Sequence, residues 1–521
     1  MIVAARTLSQ PRFWLTGLGS GLALLLFSGC PQTPVTPTPA APAVAEPEFV
    51  RPLLKDWEKP AVALMLSGEM FGYMEPCGCS LTQSGGLERR GHLQQKLQEK
   101  GWDVVPLDAG GLLKRTRMQD QIKFETILLG LKQLGYTSVA AGESELRLPP
   151  DYLISQFAEG DGIPLGGILT GCNVILFDSP ELGVPKPWRI VESGGVKIGV
   201  TAVLGKTAGE NVSPEGVQTQ IRVRPAAEAL REVLPLMDAE QPALRILLSH
   251  GTLEEAEALA KEFPQFQAIL TAGGPEDPAD EPTKVGDTLI LQTGHKGKYV
   301  GILGYYPKAS TVFRWELVNL DNVRFTGDKR MHELMRTYQQ QLQDQELAKS
   351  DALLIPHPSG HTYVGAAQCG ECHTKAYAKW KGTKHGHALE SLARGRKGQE
   401  ENWVSRIYDP ECLCCHVTGW DPQNVLRYDS GYLDEATSTH LAAQQCENCH
   451  GPGSRHTELE WSFRKDMKSV DRELLNAARR DVKRNFKTAE QEICSKCHDH
   501  ENSPKFNFEK YWKEVVHPWK D

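Results

Sequence analysis

The chain has 521 residues, with 58 Lys+Arg against 66 Asp+Glu, a formal net charge of −8, and 40% hydrophobic and 24% charged residues. Such a composition is ordinarily globular and long enough for two or three folded units, which excludes wholesale disorder and fibrous classes. No long basic run or strongly basic domain occurs, so a nucleic-acid partner has no electrostatic footprint.

At the start, Arg6 and Arg12 precede an apolar stretch, Leu15 to Phe27, that ends in Ser28-Gly29-Cys30. Basic residues, a short apolar run and small residues in that order read as a secretory signal peptide. With a cysteine directly after the small pair, residues 1–29 resemble a bacterial lipoprotein signal, which implies Cys30 as the lipidated first residue of the mature protein. A plain signal peptide with an incidental cysteine is the other reading. Residues 30–59 open on a Pro-, Ala- and Thr-rich stretch that cannot bury a core and reads as an extended tether. The protein is expected outside the cytoplasm, membrane-anchored, in the periplasm or at the outer membrane of a bacterium.

Residues 60–326 alternate apolar runs with helical patterns: Ala61–Leu66 then Gly86–Glu99, Asp103–Leu107 then Gln121–Leu134, Thr137–Ala141, Val196–Val203, Ala226–Leu234 then Leu244–Leu248, Leu253–Phe263 then Ala268–Thr271, and Thr288–Gln292. Strands alternating with helices predict an α/β layered domain with ligand sites at strand ends. Its landmarks are Ser67 to Gly72, Gly85-Gly86-Leu87 with Arg89, Leu107 to Gly111, Gly142-Glu143-Ser144-Glu145, Leu248-Ser249-His250 and Ala272 to Glu276. In this order they resemble the metallophosphoesterase domain of the 5′-nucleotidase family. That resemblance implies a site for two metal ions, yet the positions expected to hold ligands carry Glu69, Phe71, Gly111, Glu143, Ser144, His250, Gly274 and Glu276. Phe71 and Gly111 have no ligand atoms, so the dinuclear site that would activate a water is not expected to assemble. A different site is conceivable at the same mouth of the sheet: Cys77, Cys79, Cys172, His250 and His295 offer thiolates and imidazoles suited to zinc or copper. A disulfide among the three cysteines, or buried free thiols, are the competing readings.

Residues 327–360 join the halves; Gly327 to Ser350 reads as one long helix, ended by Pro356, Pro358 and Gly360. Over 361–521 charge is balanced, with 24 basic and 24 acidic residues, and cysteines follow a strict pattern. Cys369, Cys372 and His373; Cys412, Cys415 and His416; Cys446, Cys449 and His450; and Cys494, Cys497 and His498 each form C-x-x-C-H, the c-type haem attachment signature. Two thiols three positions apart reach the two vinyl groups of one porphyrin as thioethers, and the adjacent histidine turns onto the iron as proximal ligand. Paired zinc sites would leave the histidine that follows all four pairs unexplained. First cysteines are separated by 43, 34 and 48 residues, too few for a separate apolar core per haem. The four haems c are therefore expected to pack together and form most of a mainly α, haem-packed multihaem domain.

Further histidines, His361, His385, His387, His440, His456, His500 and His517, supply distal candidates for bis-His ligation, which favours electron transfer. Tyr363-Val364-Gly365, the stretch Trp380 to His385, the run Gln445 to Gly453 with His456, and the tail through Tyr511-Trp512 to His517 are similar to the cytochrome c554 family of multihaem cytochromes. The resemblance implies distal ligands from His385 or His387, His456 and His517, with His361, His440 and His500 structural; in that family an iron can stay open. Cys414 reads as a spectator inside the second motif. The expected function is a lipid-anchored tetrahaem electron carrier that works with redox partner proteins. An enzyme acting on a small nitrogen or sulfur compound, at an open haem or at the upstream Cys/His site, is the alternative, and metal-dependent nucleotide hydrolysis is a third.

Overall fold

The structure is a computed structural model that describes residues 51–76, 83–157, 164–214, 219–350, 353–395 and 400–517. The signal, Cys30, the tether up to Val50, Cys77 and Cys79 lie outside the described residues.

Strand Val62–Ser67 shows how the sequence builds the first layers. Its residues alternate sides: Ala63 and Met65 join one apolar cluster, while Val62, Leu64 and Leu66 join another, the period of two that a strand buried on both faces requires. Parallel strands Val104–Asp108, Ser138–Ala140 and Leu169–Thr170 continue on one side of it, and antiparallel Tyr299–Tyr305 and Phe313–Asn319 on the other. The second six-stranded sheet runs Thr283–Val285, Thr288–Leu291, Ala268–Thr271, Leu244–His250, Val196–Leu204, Trp188–Ser193, with a parallel centre and an antiparallel hairpin at each edge. The two sheets face each other across a core that interleaves Val62, Leu64 and Leu66 with Val200, Ile246, Leu248 and Leu270.

Helices cover both outer faces. Helix Ala226–Ala239 and helix Leu253–Glu262, the latter opened by a capping box in which Thr252 accepts from the Glu255 amide, shield the second sheet. Helices Leu87–Glu99 and Met118–Gln133 shield the first. The expected α/β layers are thus a helix–sheet–sheet–helix stack.

The long helix expected across Gly327 to Ser350 is two pieces, Lys329–Asp344 and Leu347–Ser350, broken at Glu346, whose φ is 48°. The first piece is no free linker. Met331, Leu334, Tyr338 and Leu342 sit in the same apolar cluster as helices Leu87–Glu99 and Met118–Gln133. Beyond it the chain is short helices and one small sheet of Leu354–Ile355, Leu426–Tyr428 and Trp420–Asp421. Its apolar cluster, around Leu413, Val417, Trp420 and Tyr432, is small beside those of the α/β part. Among the described residues no helix is long and apolar enough to cross a membrane.

Charged side chains tie the two parts together. Arg406 hydrogen-bonds Glu75, while Arg115 and Lys123 both pair with Glu411, which adjoins Cys412. Gln119 and Gln339 donate to the buried Asp409 at 2.8 and 2.9 Å. Glu501, three residues past His498, is met by Lys296 at 2.7 Å, Lys114 at 3.8 Å and the Tyr73 hydroxyl.

Candidate haem sites and the strand-end residues

Three of the four C-x-x-C-H motifs begin or end in a short helix: Ala366–Gly370, Pro410–His416 and Cys446–His450. Helical winding brings positions three apart onto one face, so both thiols of a motif face the same way. Local capping fixes where each turn starts. Pro410 occupies the first helical position and Asp409 accepts from the Glu411 amide at 3.0 Å. Gln445 and Asn448 form a reciprocal capping box around the third motif. The fourth, Cys494–Lys496, is a single tight 3₁₀ turn.

Proximal histidines are oriented from behind. His416 Nδ1–H donates to the Ala388 carbonyl at 2.8 Å, His450 Nδ1–H to the Val482 carbonyl at 2.6 Å, and His498 Nδ1 meets the Ser503 hydroxyl at 2.9 Å. Such a bond at Nδ1 fixes the ring and leaves Nε2 as the ligating atom. The sequence offered no sign of the two carbonyl partners, which come from segments tens of residues away.

Three imidazole pairs face each other. His373 and His456 have ring centres 6.3 Å apart, His385 and His498 6.0 Å, and His450 and His517 5.9 Å. With metal–imidazole bonds of about 2.0–2.1 Å and about 1.1 Å from ring nitrogen to ring centre, one iron between two imidazoles needs about 6.3 Å. All three gaps therefore fit a bis-His iron. His456 Nδ1, moreover, is buried with no hydrogen-bond partner among the described residues, as a ring held by something other than hydrogen bonds would be.

Of the two neighbouring candidates, His385 faces His498, while His387 is exposed and bonded to Glu390 at 3.2 Å. His440 contributes its backbone carbonyl to Gln445. Cys414 is buried in the apolar cluster, with Sγ toward the Glu411 and Pro422 carbonyls at 3.2 and 3.7 Å.

The attachment sulfurs also come together between motifs. Cys369 lies beside Cys446, Cys449 near Cys494, and Cys497 beside Cys415. In space the motifs run first, third, fourth, second. Glu447, inside the third motif, binds the first to it: its buried carboxylate accepts from the amides of Val364 at 3.0 Å, Gly365 at 2.7 Å and Gly453 at 2.7 Å. Gly365 has φ 88°, and a Cβ there would lie 2.7 Å from the His440 carbonyl, so the close approach needs glycine.

At the strand ends of the α/β part, the residues in ligand positions are engaged with the protein itself. Glu69 accepts from the Gly273 amide at 3.1 Å and lies 3.4 Å from His295 Nε2, against which Phe71 packs edge-on. His250 Nδ1–H donates to the Ala109 carbonyl at 3.0 Å. Glu143 accepts from Asn211 at 3.1 Å. Glu145, fully buried, takes the amides of Gly111 and Leu112. Against the upward push of burial, hydrogen bonds from Lys296 and Lys298 bring Glu276 down to about 2. Glu69, His250 and His295 do meet at one mouth: a Cβ on Gly111 would sit 3.3 Å from both Glu69 Cγ and His250 Cε1. Cys172 does not join them. Its thiol packs against the outer core of the second sheet, near Thr201, and burial pushes it up to about 12. Among the described residues no group of three or more His, Cys, Asp or Glu is placed to hold a metal ion.

Burial, then the negative field of Asp108, pushes the Glu69 carboxyl up to about 8. The folded state keeps this proton to about pH 8, whereas the group's ordinary value is 4.5, so stability falls as pH rises between those values. Glu69→Gln is expected to remove that slope, at most about 1.4 kcal/mol per pH unit. Urea unfolding at three pH values in this window, with wild type and variant showing the same slope, would overturn the assignment.

Comparison with known proteins agrees with both halves. Residues 368–451 match the family described as cytochrome c554 and c-prime, and a match to a cytochrome c family points to covalently bound haem c. The fourth motif lies beyond the matched residues. The α/β part is similar to a 5′-nucleotidase of Vibrio vulnificus, 24% identical over 241 residues that cover 41% of this chain and 42% of that protein. A 5′-nucleotidase of Vibrio cholerae is likewise 24% identical over 242 residues. The chain thus spans less than half the length of these curated relatives. Among solved structures, a 5′-nucleotidase precursor from Thermus thermophilus matches with 20% identity and a TM-score of 0.46, over 54% of this chain and 59% of that one. An NAD nucleotidase from Haemophilus influenzae matches with 15% identity and a TM-score of 0.44, over 57% and 65%. The chain joins a cytochrome c554-type segment to an α/β part similar to 5′-nucleotidases.

Proposed function

We propose that the protein is an electron carrier holding four covalent haems c, exported and kept at a membrane surface by a lipid on Cys30. The observation that carries this reading is the set of three facing imidazole pairs whose motifs are linked, sulfur beside sulfur, into one series. Cys369 with Cys372, Cys412 with Cys415, Cys446 with Cys449 and Cys494 with Cys497 would hold the porphyrins, with His373, His416, His450 and His498 proximal and His456, His517 and His385 distal for the first, third and fourth. The haem, when bound, supplies reversible one-electron chemistry. The chain's own part is to fix the His416, His450 and His498 imidazoles through Ala388, Val482 and Ser503, and to hold the motifs at close range through Glu447. With two imidazoles facing each other at each of those three sites, a bound haem would have no position left for a substrate, which supports transfer over chemistry.

Nucleotide hydrolysis is not supported at the strand-end mouth, because Glu143, Glu145 and Glu276 are committed to protein partners and Phe71 and Gly111 offer no ligand. The α/β part instead serves as the base on which the second and fourth motifs rest. Metal analysis with a pyridine haemochrome assay tests the whole reading. Four irons per chain, all as covalent haem, mainly low-spin spectra, and no phosphate release from AMP with added divalent metal are expected. Two or fewer haems, or AMP turnover, would overturn it.

A further inference from the structure

We infer that Phe506 is the bridge by which an electron passes between the fourth haem and the surface at Tyr511; this rests on the haem reading above. Phe506 lies parallel to the His498 ring, with centres 4.6 Å apart and planes 9° off, and Tyr511 lies parallel to Phe506 at 5.6 Å and 4°. With His385 facing His498, four rings stand in one series from the axial pair to a side chain that is 43% exposed, Tyr511. Both outer spacings fall within the roughly 4.5–7 Å at which aromatic rings stack in contact. Electron tunnelling weakens most steeply across empty gaps, and rings in contact leave none.

Local sequence explains the arrangement. The Asp499 carboxylate accepts from the Asn502 amide at 2.6 Å, the Asp499 carbonyl from the Ser503 amide at 2.9 Å, and the Ser503 carbonyl from the Phe506 amide at 2.8 Å. The turn that holds the Ser503 hydroxyl on His498 Nδ1 therefore also delivers Phe506 onto the same ring. Asn507 then caps helix Phe508–Val515, its side chain accepting from the Lys510 amide at 2.9 Å. Phe506 and Tyr511 are thus the residue before the cap and the fourth within the helix, the two positions that form a hydrophobic staple. A staple needs only two apolar side chains; it needs neither a third ring stacked on Phe506 nor a partner left half in water. The helix itself rests on Phe508 and Trp512, which meet Phe486 at 5.1 and 5.4 Å. Lys296, bonded to Glu501 at 2.7 Å, pins the same loop to the α/β part and holds the bridge in place. Among the described residues, by contrast, His373 and His456 stack on each other and on no third ring.

The test places a photoreductant at the outer end of the stack in the full-length holoprotein, a ruthenium(II) polypyridyl maleimide on Tyr511→Cys. After a laser flash one electron leaves the excited ruthenium(II), which becomes ruthenium(III), and one ferric haem becomes ferrous; an added aniline, oxidised by one electron, returns the label to ruthenium(II). Phe506→Leu keeps an apolar staple but leaves a gap where the ring stood, so haem reduction should slow at least about tenfold, and Phe506→Tyr should keep the fast rate. With the same label on Glu509→Cys, an exposed position off the stack, Phe506→Leu should change the rate less than about twofold. In a His385→Ala background, where the fourth haem is the high-spin one, the first electron should arrive in the high-spin band. Low-temperature electron paramagnetic resonance and the unfolding midpoint of Phe506→Leu should match those of the wild type, readouts that a merely structural role would move. The wild-type chain carried through the same labelling accounts for its other cysteines. An unchanged rate from the label on Tyr511→Cys, equal slowing from both labels, or first reduction of a low-spin haem would each overturn the bridge while leaving the haem reading standing. Absence of haem would defeat the carrier reading itself.

Discussion

On the four-haem reading proposed above, removing the imidazole of His385 is expected to turn one quarter of the haem from low-spin to high-spin and to open that iron to carbon monoxide, while the same change at His387 leaves the spectrum as it was. His385 faces His498 at 6.0 Å from a half-buried position, whereas His387 points to solvent and Glu390. His385→Ala would take away one iron-ligating nitrogen and leave the cysteines in place, so haem content should stay constant while the spin state changes. Electronic absorption, low-temperature electron paramagnetic resonance and carbon monoxide titration of the reduced protein read the difference. Equal spectra for the two variants, or haem loss confined to His387→Ala, would sink the pairing. His456→Ala and His517→Ala should each behave as His385→Ala does, because each faces one proximal ring in the same way.

The largest stability effect is expected in the α/β part. Arg90 and Asp108 form an ion pair at 3.6 Å with side chains 1% and 0% exposed. Ser67 and the Gly110 amide donate to the same carboxylate at 2.6 and 2.9 Å, and Arg90 also donates to the Ser67 hydroxyl at 3.2 Å. Arg90→Met leaves the carboxylate buried without its counter-charge, a change that typically costs about 3–5 kcal/mol. Replacing both partners, Arg90→Met with Asp108→Leu, should recover much of that loss, since two apolar groups carry no unpaired charge. Urea unfolding followed by circular dichroism for the α/β part, with haem absorbance as a separate signal, measures both. A loss under about 1 kcal/mol in the single variant would mean that water reaches the pair.

Strands with long apolar runs, such as those within residues 61–66, 196–203 and 244–248, were legible because both faces of each are buried and most of their residues are apolar or small. Tyr299–Tyr305 and Phe313–Asn319 were not. Gly301 and Gly304 interrupt the first of these, and glycine weakens a strand reading; in the fold Gly301 is the space into which Trp315 packs, a Cβ there meeting its ring at 2.1 Å. Similarly, nothing local ends a helix at Asp344. The break at Glu346 coincides with Leu347 and Ala348 turning into two separate apolar clusters.

By itself the sequence put forward the covalent chemistry: thiols three apart with a histidine next to them act within one helical turn, so spacing alone marks each candidate attachment site. It likewise determined that Phe71 and Gly111 bring no ligand atoms, since composition suffices for that. Only the tertiary structure decided which imidazole meets which. His385 and His498 stand 113 positions apart, and no local pattern can select one of two histidines for a partner so distant. The order of motifs in space and the seating of the second and fourth on charges of the α/β part have the same origin. Each follows from contacts between segments brought together by burial, whose energy depends on shape and charge on both sides at once.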